Sequence, residues 1–305
     1  MDTKRRFPLI LSSFWIKIIA FFTMACDHVG LLFEGDMPYQ VNDVLRVLGR
    51  LSLPLFAFMI FEGVLHTKNF RRYALRLGIM ASAISVGFMF VEYVPSINES
   101  APYLRDQGNI FVDLLLGALA VYFLLQDKWY MKLLAILPFG ISVASFIASI
   151  TESCGCHGHI LWFPFFMRSQ YGYFVPLMCM GFYLAKALTK YICIHHSRIT
   201  GINIENYEGT NFERLAMNIL SWFALALSCV IFFIVGYILD VYAPQYLYWD
   251  NYVQLMAIFS GVFILLYSGL RGYNKKWFQY GSYLFYPLHI LVIFIVYLIV
   301  YGIGG

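Results

Sequence analysis

The sequence predicts an all-α bundle of membrane-spanning helices, and three observations carry that prediction. The 305 residues are 61% hydrophobic and only 12% charged, against roughly 25% charged in an ordinary soluble domain. Apolar runs recur at about the 20 residues that a helix needs to cross a bilayer core. The basic residues collect on alternate breaks between those runs. Together these exclude a water-soluble fold and leave room for short loops beside a single integral membrane domain covering residues 1–305.

Taken in order, the runs predict about nine spans, near 14–34, 43–65, 73–92, 109–126, 131–150, 172–189, 215–239, 252–270 and 280–302. Lys4, Arg5 and Arg6 precede the first run like a signal-peptide n-region. Phe14 to Phe33 exceeds an ordinary h-region and no small-residue cleavage site follows, so the reading is a retained first span. With the N-terminus in the cytoplasm, all but four of the 21 basic residues fall on the cytoplasmic side. The exceptions are Arg46, Arg50, Arg105 and Arg168. That asymmetry supports an odd number of spans, a C-terminus outside, and residence in the cytoplasmic (inner) membrane. Tyr246, Tyr248, Trp249 and Tyr252 suit an outer aromatic belt, and Trp162, Phe163, Phe165 and Phe166 form a second cluster in an outer segment over 151–171. No internal repeat of the transporter kind is visible.

An ionisable side chain costs about 2.5–3.5 kcal/mol at the centre of a spanning helix, so each one needs a buried partner or a cavity. The first run holds Asp27 and His28, the second Arg46, Arg50 and Glu62, the fourth Asn109 and Asp113, and the last His289. Arg46 and Arg50 share a helical face at i,i+4, as do Glu62 and His66, and Asn109 and Asp113. Asp27 and His28 diverge by about 100° around their helix. The expected arrangement is Asp27 against Arg50 or Arg46, with His28 turned to a cavity. The alternative for such pairs is structural glue between helices. His289 follows Pro287, which frees a backbone carbonyl and bends the helix. It reads as either a pocket residue or a satisfied core histidine.

These residues also carry a resemblance. Asp27-His28-Val29-Gly30, the run LRVLGRLSLPLFAFMIFEGVLHTKN from Leu45 to Asn69, Arg72-Tyr73 and Arg76-Leu77, Asn109-Ile110-Phe111 leading to Leu115-Leu116-Gly117, and the closing Tyr283-Leu284-Phe285-Tyr286-Pro287-Leu288-His289 resemble the TraX family of membrane acetyltransferases. The resemblance implies transfer of acetyl from cytoplasmic acetyl-CoA, as co-substrate, to an amine or hydroxyl of a pilin, peptide or surface glycan. It implies His28 as the base. Around it, Arg50 and Arg46 would bear charge, Asp27 and Asp113 would orient groups, and His289 would complete the catalytic set. Donor binding is expected from Arg46, Glu62, His66, Lys68, Arg72, Arg76 and Asn109, with further cations at Arg71, Arg271, Lys275 and Lys276. Positive-inside topology explains many of those cations by itself. The outer segment over 151–171 and the hydrophilic loop over 191–214 depart from the family's compact pattern.

No phosphate-cradling glycine motif is present, and neither nucleic acid nor a metal is expected. Cys154, Cys156, His157 and His159 are spaced too tightly for the usual zinc pairs, which favours an ordinary loop or a redox-sensitive pair. Two rival readings remain: a transporter or proton-coupled permease using the same buried groups, or a surface-assembly scaffold without chemistry.

Overall fold

The computed structural model describes residues 9–93, 108–153, 163–242 and 251–301, and all their regular structure is helical. Helix α1 (Ser13–Leu32) begins without a side-chain cap. Its first N–H groups, which no intrahelical carbonyl can satisfy, are taken up elsewhere in the chain. Ser13 N donates to Leu270 O at 2.8 Å and Phe14 N to Arg271 O at 3.2 Å, while Leu11 exchanges backbone bonds with Leu266 and Ser268. The start of α1 is thereby pinned to a turn more than 250 residues away in sequence.

The expected second span is two helices, α2 (Tyr39–Gly49) and α3 (Ser52–His66). Pro54 explains the break: it has no N–H to offer the Arg50 carbonyl, and its ring crowds that carbonyl out of helical register. Ser52 Oγ takes the Gly49 carbonyl instead, at 2.8 Å. The break leaves Arg50 at the end of α2 rather than in mid-helix. Gly49 lets α1 and α2 approach closely, since a Cβ there would lie 2.2 Å from Asp27 Cβ.

Helix α4 (Phe70–Tyr93) follows, then α5 (Ile110–Leu124), α6 (Trp129–Leu133) and α7 (Ile136–Ser153). A 3-10 turn at Phe165–Met167 leads to α8 (Phe174–Thr200), which ends on Gly201 at φ 70°, the left-handed position that favours glycine. Another 3-10 turn, Ile204–Tyr207, precedes α9 (Asn211–Tyr242). Helix α10 (Asn251–Leu255), a 3-10 segment and α11 (Gly261–Leu265) come before the last helix, α12 (Lys276–Tyr301), which contains Pro287.

Among the described residues six segments are long and apolar enough to cross a membrane: Ser13–Leu32, Tyr39–His66, Trp129–Ile150, Phe174–Thr200, Asn211–Val241 and Lys276–Tyr297. Helix α4, the 15-residue α5 and the broken stretch Tyr252–Leu265 lie where the other three expected spans fall. The core sits where α1, α3, α5 and α8 meet. Phe58 is fully buried edge-on to Phe182 (5.4 Å between ring centres) and to Tyr267 (5.3 Å). Helix α12 leans on α1 through the stacked pair Phe21–Phe285, 4.4 Å apart, and presents Leu288, Leu291, Val292, Ile295 and Ile299 outward. An outward apolar surface of that kind suits lipid rather than water.

Candidate active site

The turn of α1 that carries Asp27 meets the end of α2. Asp27 Oδ1 accepts from Arg46 Nη1 at 2.9 Å and from Arg50 Nη2 at 2.9 Å. The i,i+4 spacing of the two arginines makes this possible by placing both on one helical face. Arg50 Nη1 also donates to Gln254 Oε1 at 3.2 Å. Because an arginine can only donate, this fixes the Gln254 carboxamide with its oxygen toward Arg50. Its Nε2, buried, has no partner among the described residues. Tyr171, in the turn before α8, lies within the electrostatic reach of Arg50, Asp27, Arg46 and Asp113, while burial raises its phenol above the ordinary range.

His28, one position on, faces α12. Its Nδ1 lies 2.9 Å from Met24 O and 3.3 Å from His289 Nε2, and the two rings meet edge to face at 4.8 Å. His289 Nδ1 lies 2.7 Å from Phe285 O. A carbonyl can only accept, so each Nδ1 carries the hydrogen. His289 Nε2 is then an acceptor facing His28 Nδ1–H, and His28 Nε2 holds a lone pair. No described residue bonds that nitrogen. A histidine steadied through Nδ1 with Nε2 open is the arrangement proton abstraction needs.

A cavity of about 330 Å³ opens beside these residues, within the roughly 300–1,000 Å³ range of small-molecule sites. Its mouth is polar and cationic, with Lys17, His66, Arg76, Arg271, Asn274 and Gln279; its far end is apolar, with Met24, Phe56, Ile110, Phe111, Leu114 and Tyr286. From Ser13 at the mouth to Met24, eleven helical residues give a depth of about 16 Å. Asp27, His28, Arg50 and His289 do not line it. Met24 and Tyr286 do, and both touch His28: Met24 through its carbonyl, Tyr286 edge-on with ring centres 6.1 Å apart.

On the cavity wall stands another carboxylate, this one buried. Glu62 Oε1 accepts from Arg214 Nη1 at 2.8 Å, and Oε2 from the Tyr267 hydroxyl at 3.2 Å. Ser13 Oγ lies 2.9 Å from that hydroxyl, and the Arg214 guanidinium lies over the Tyr267 ring at 5.2 Å. His66 Nδ1 bonds the Glu62 carbonyl at 2.9 Å and lies 3.6 Å from its carboxylate.

The family model described as TraX protein matches residues 12–153. The chain is similar to the TraX family over that stretch. A second comparison finds a probable fimbrial assembly protein, FimC of serogroup H1, from Dichelobacter nodosus, 33% identical over 113 residues. That alignment covers 36% of this chain and spans 45% of the relative's length. No solved structure matches the chain.

The matched segment supplies Asp27, His28, Arg46, Arg50, Glu62, His66 and, at the apolar end of the cavity, Met24, Phe56, Ile110, Phe111 and Leu114. The remainder supplies Arg214, Gln254, Tyr267, Tyr286 and His289. Of the residues expected to act together, Asp27, Arg46 and Arg50 form one cluster and His28 and His289 a second beside it. Arg46, expected at the donor, is committed to Asp27. Asp113 is fully buried and accepts from the backbone of Gln170 at 2.6 Å and of Tyr171 at 3.2 Å, so it holds the turn that carries Tyr171. Asn109 caps α5 through Phe111 N at 3.0 Å and ties it to α4 through Ala81 O at 2.6 Å and Ser85 Oγ at 2.8 Å. Both of its amide atoms are engaged. Glu62, His66 and Arg76 line the cavity, whereas Lys68 and Arg72 are exposed nearby without lining it. Lys4, Arg5, Arg6, Arg105, Trp162, Tyr246, Tyr248, Trp249 and the Cys154, Cys156, His157, His159 cluster lie outside the described residues.

Sequence reasoning did not single out Gln254, Tyr267 or Tyr286 as site residues, and it named Arg214 only as an inside cation. Each is an ordinary residue of its own run. Only the tertiary contact gives it meaning.

Proposed function

We propose that this chain is a membrane-embedded acetyltransferase that takes acetyl from acetyl-CoA and passes it to an amine or hydroxyl of a pilin, peptide or surface glycan. The observation that carries the reading is the cavity: cationic at its mouth, apolar at its end, and lined there by Met24 and Tyr286, both in contact with His28. The phosphates of CoA would lie at Lys17, Arg76 and Arg271, cations whose field gathers a polyanion. The pantetheine arm would run inward along α1 and α12, leaving the thioester beside Met24, Phe111 and Tyr286. His28 Nε2 would take the acceptor's proton as its nitrogen or oxygen attacks the thioester carbon, and CoA would leave as the thiol once that proton is returned. Asp27, held by Arg46 and Arg50, would fix the turn of α1 that carries the base.

In this reading the chain spans the membrane nine times with its N-terminus in the cytoplasm. The mouth, at the start of α1, α4 and α12, then faces the cytoplasmic pool of acetyl-CoA, and the name of the fimbrial assembly relative favours a pilin-type acceptor. In detergent, acetyl-CoA should raise the melting temperature of the purified protein, and proteoliposomes should move labelled acetyl from acetyl-CoA to a peptide with a free N-terminal amine. A protein indifferent to acetyl-CoA in both assays would contradict the proposal.

A further inference from the structure

We propose that the Tyr286 hydroxyl is the hydrogen-bond donor that stabilises the oxyanion formed when the acceptor attacks the thioester. The inference rests on the acetyltransferase reading and adds the component that reading lacks. A base alone does not account for acyl transfer, because the carbonyl oxygen gains charge as the tetrahedral intermediate forms, and a preorganised donor there is commonly the largest single contribution.

Three observations select this residue. First, the Tyr286 ring forms part of the cavity's apolar end, edge-on to Phe111 with ring centres 5.7 Å apart, while its other contacts are His28 at 6.1 Å and His289 at 5.8 Å. It stands at the seam between the space a donor would occupy and the proposed base. Second, the residue is 6% exposed and its hydroxyl has no hydrogen-bond partner among the described residues. A buried hydroxyl left unpaired is destabilising, so a fold that retains one has a use for it or an acceptor that arrives later. Third, two of the acidic groups near that hydroxyl are held by other donors. The acidic groups that act on it are Tyr171, Asp113 and Asp27. Asp113 is held by backbone N–H groups of the turn at Tyr171, and Asp27 Oδ1 by two guanidiniums. The arginines' charge is spent on Asp27, which leaves the phenol as the donor at the seam.

The step then balances. The acceptor's lone pair forms the new C–N or C–O bond as its proton passes to His28 Nε2, and the C=O π pair moves to oxygen under the Tyr286 O–H. The carbonyl re-forms as the C–S bond breaks, and the CoA sulfur takes the proton from His28.

The test is Tyr286→Phe in the full chain in proteoliposomes, with acetyl-CoA as donor, a synthetic peptide with a free N-terminal amine as acceptor, and CoA thiol release as readout. This variant keeps the ring and deletes only the oxygen. The expected result is kcat lower by about a hundred- to a thousand-fold, KM for acetyl-CoA within about twofold of wild type, and a melting temperature equal to or above wild type because an unpaired buried hydroxyl is gone. A structural role would instead lower the melting temperature and spare kcat. Tyr286→Phe turning over at the wild-type rate, beside an active wild type, overturns this assignment alone. A wild type that neither binds acetyl-CoA nor releases CoA overturns the acetyltransferase reading and this assignment with it.

Discussion

Two arginine-paired carboxylates, Glu62 and Asp27, organise the described helices, and they differ in what is left over. At Glu62 both oxygens are engaged: Oε1 by Arg214, Oε2 by Tyr267, with His66 and Ser13 closing the ring of contacts. The network joins α3, α9, the turn before α12 and the start of α1, and it is complete. At Asp27 one oxygen carries two guanidiniums, the other has no partner among the described residues, the Gln254 amide beside Arg50 is unspent, and the next residue is a histidine with an open Nε2. A closed polar network fixes helices to one another; an open one at the membrane interior keeps capacity for a substrate. On that contrast Glu62 is a strut of the cavity wall, and Asp27 is the carboxylate we propose takes part in the chemistry.

The contrast breaks down if the two sites respond alike. Glu62→Ala strands Arg214 and the Tyr267 hydroxyl inside the protein, and deleting one partner of a buried pair costs about 3–5 kcal/mol. Thermal unfolding in detergent should show this as the largest loss of stability among these changes. Asp27→Asn keeps the shape and weakens the grip of both arginines on the turn that carries His28. A small misplacement of a catalytic group costs about a hundredfold in rate, so acetyl transfer should fall by that order while the melting temperature falls much less than for Glu62→Ala. Equal losses of stability at the two positions would erase the distinction.

Gly49→Ala sharpens it from the backbone side. The added methyl would meet Asp27 Cβ at 2.2 Å, and forcing α1 from α2 should cost about 1–3 kcal/mol, the range for overpacked contacts. Because it displaces Asp27 directly, it should slow transfer without altering acetyl-CoA affinity. The smallest effect belongs to the mouth. Arg76→Glu reverses an exposed charge on the cavity rim and should weaken acetyl-CoA binding by about tenfold, roughly 1.4 kcal/mol. Titration calorimetry should show the penalty shrinking as salt is raised, because exposed charges are screened.

The pairing at Asp27 was legible in the sequence because two arginines four residues apart in an apolar run need one acid between them. The division of the expected second span at Arg50 and Leu51 follows from proline's missing N–H at Pro54. Asn109 and Asp113 share a face as expected, yet their side chains serve the backbone, one as a cap and one as the anchor of a distant turn. A polar residue at a helix start carries that meaning as readily as a catalytic one. Glu62 meets Arg214 from 152 residues away, and helical periodicity indicates which face is buried without indicating which helix will cover it. Tyr286 stood in the closing motif without a role of its own, because only its contacts with His28, His289 and Phe111 give it one.

The central claim is that the cavity delivers an acyl donor to His28. Its most direct test compares His28→Ala with wild type in proteoliposomes, measuring acetyl-CoA binding and acetyl transfer on the same preparations. The account predicts transfer reduced by about a hundred- to ten-thousand-fold, the scale of a lost general base, with acetyl-CoA affinity within about twofold of wild type. Transfer at the wild-type rate in His28→Ala would contradict it.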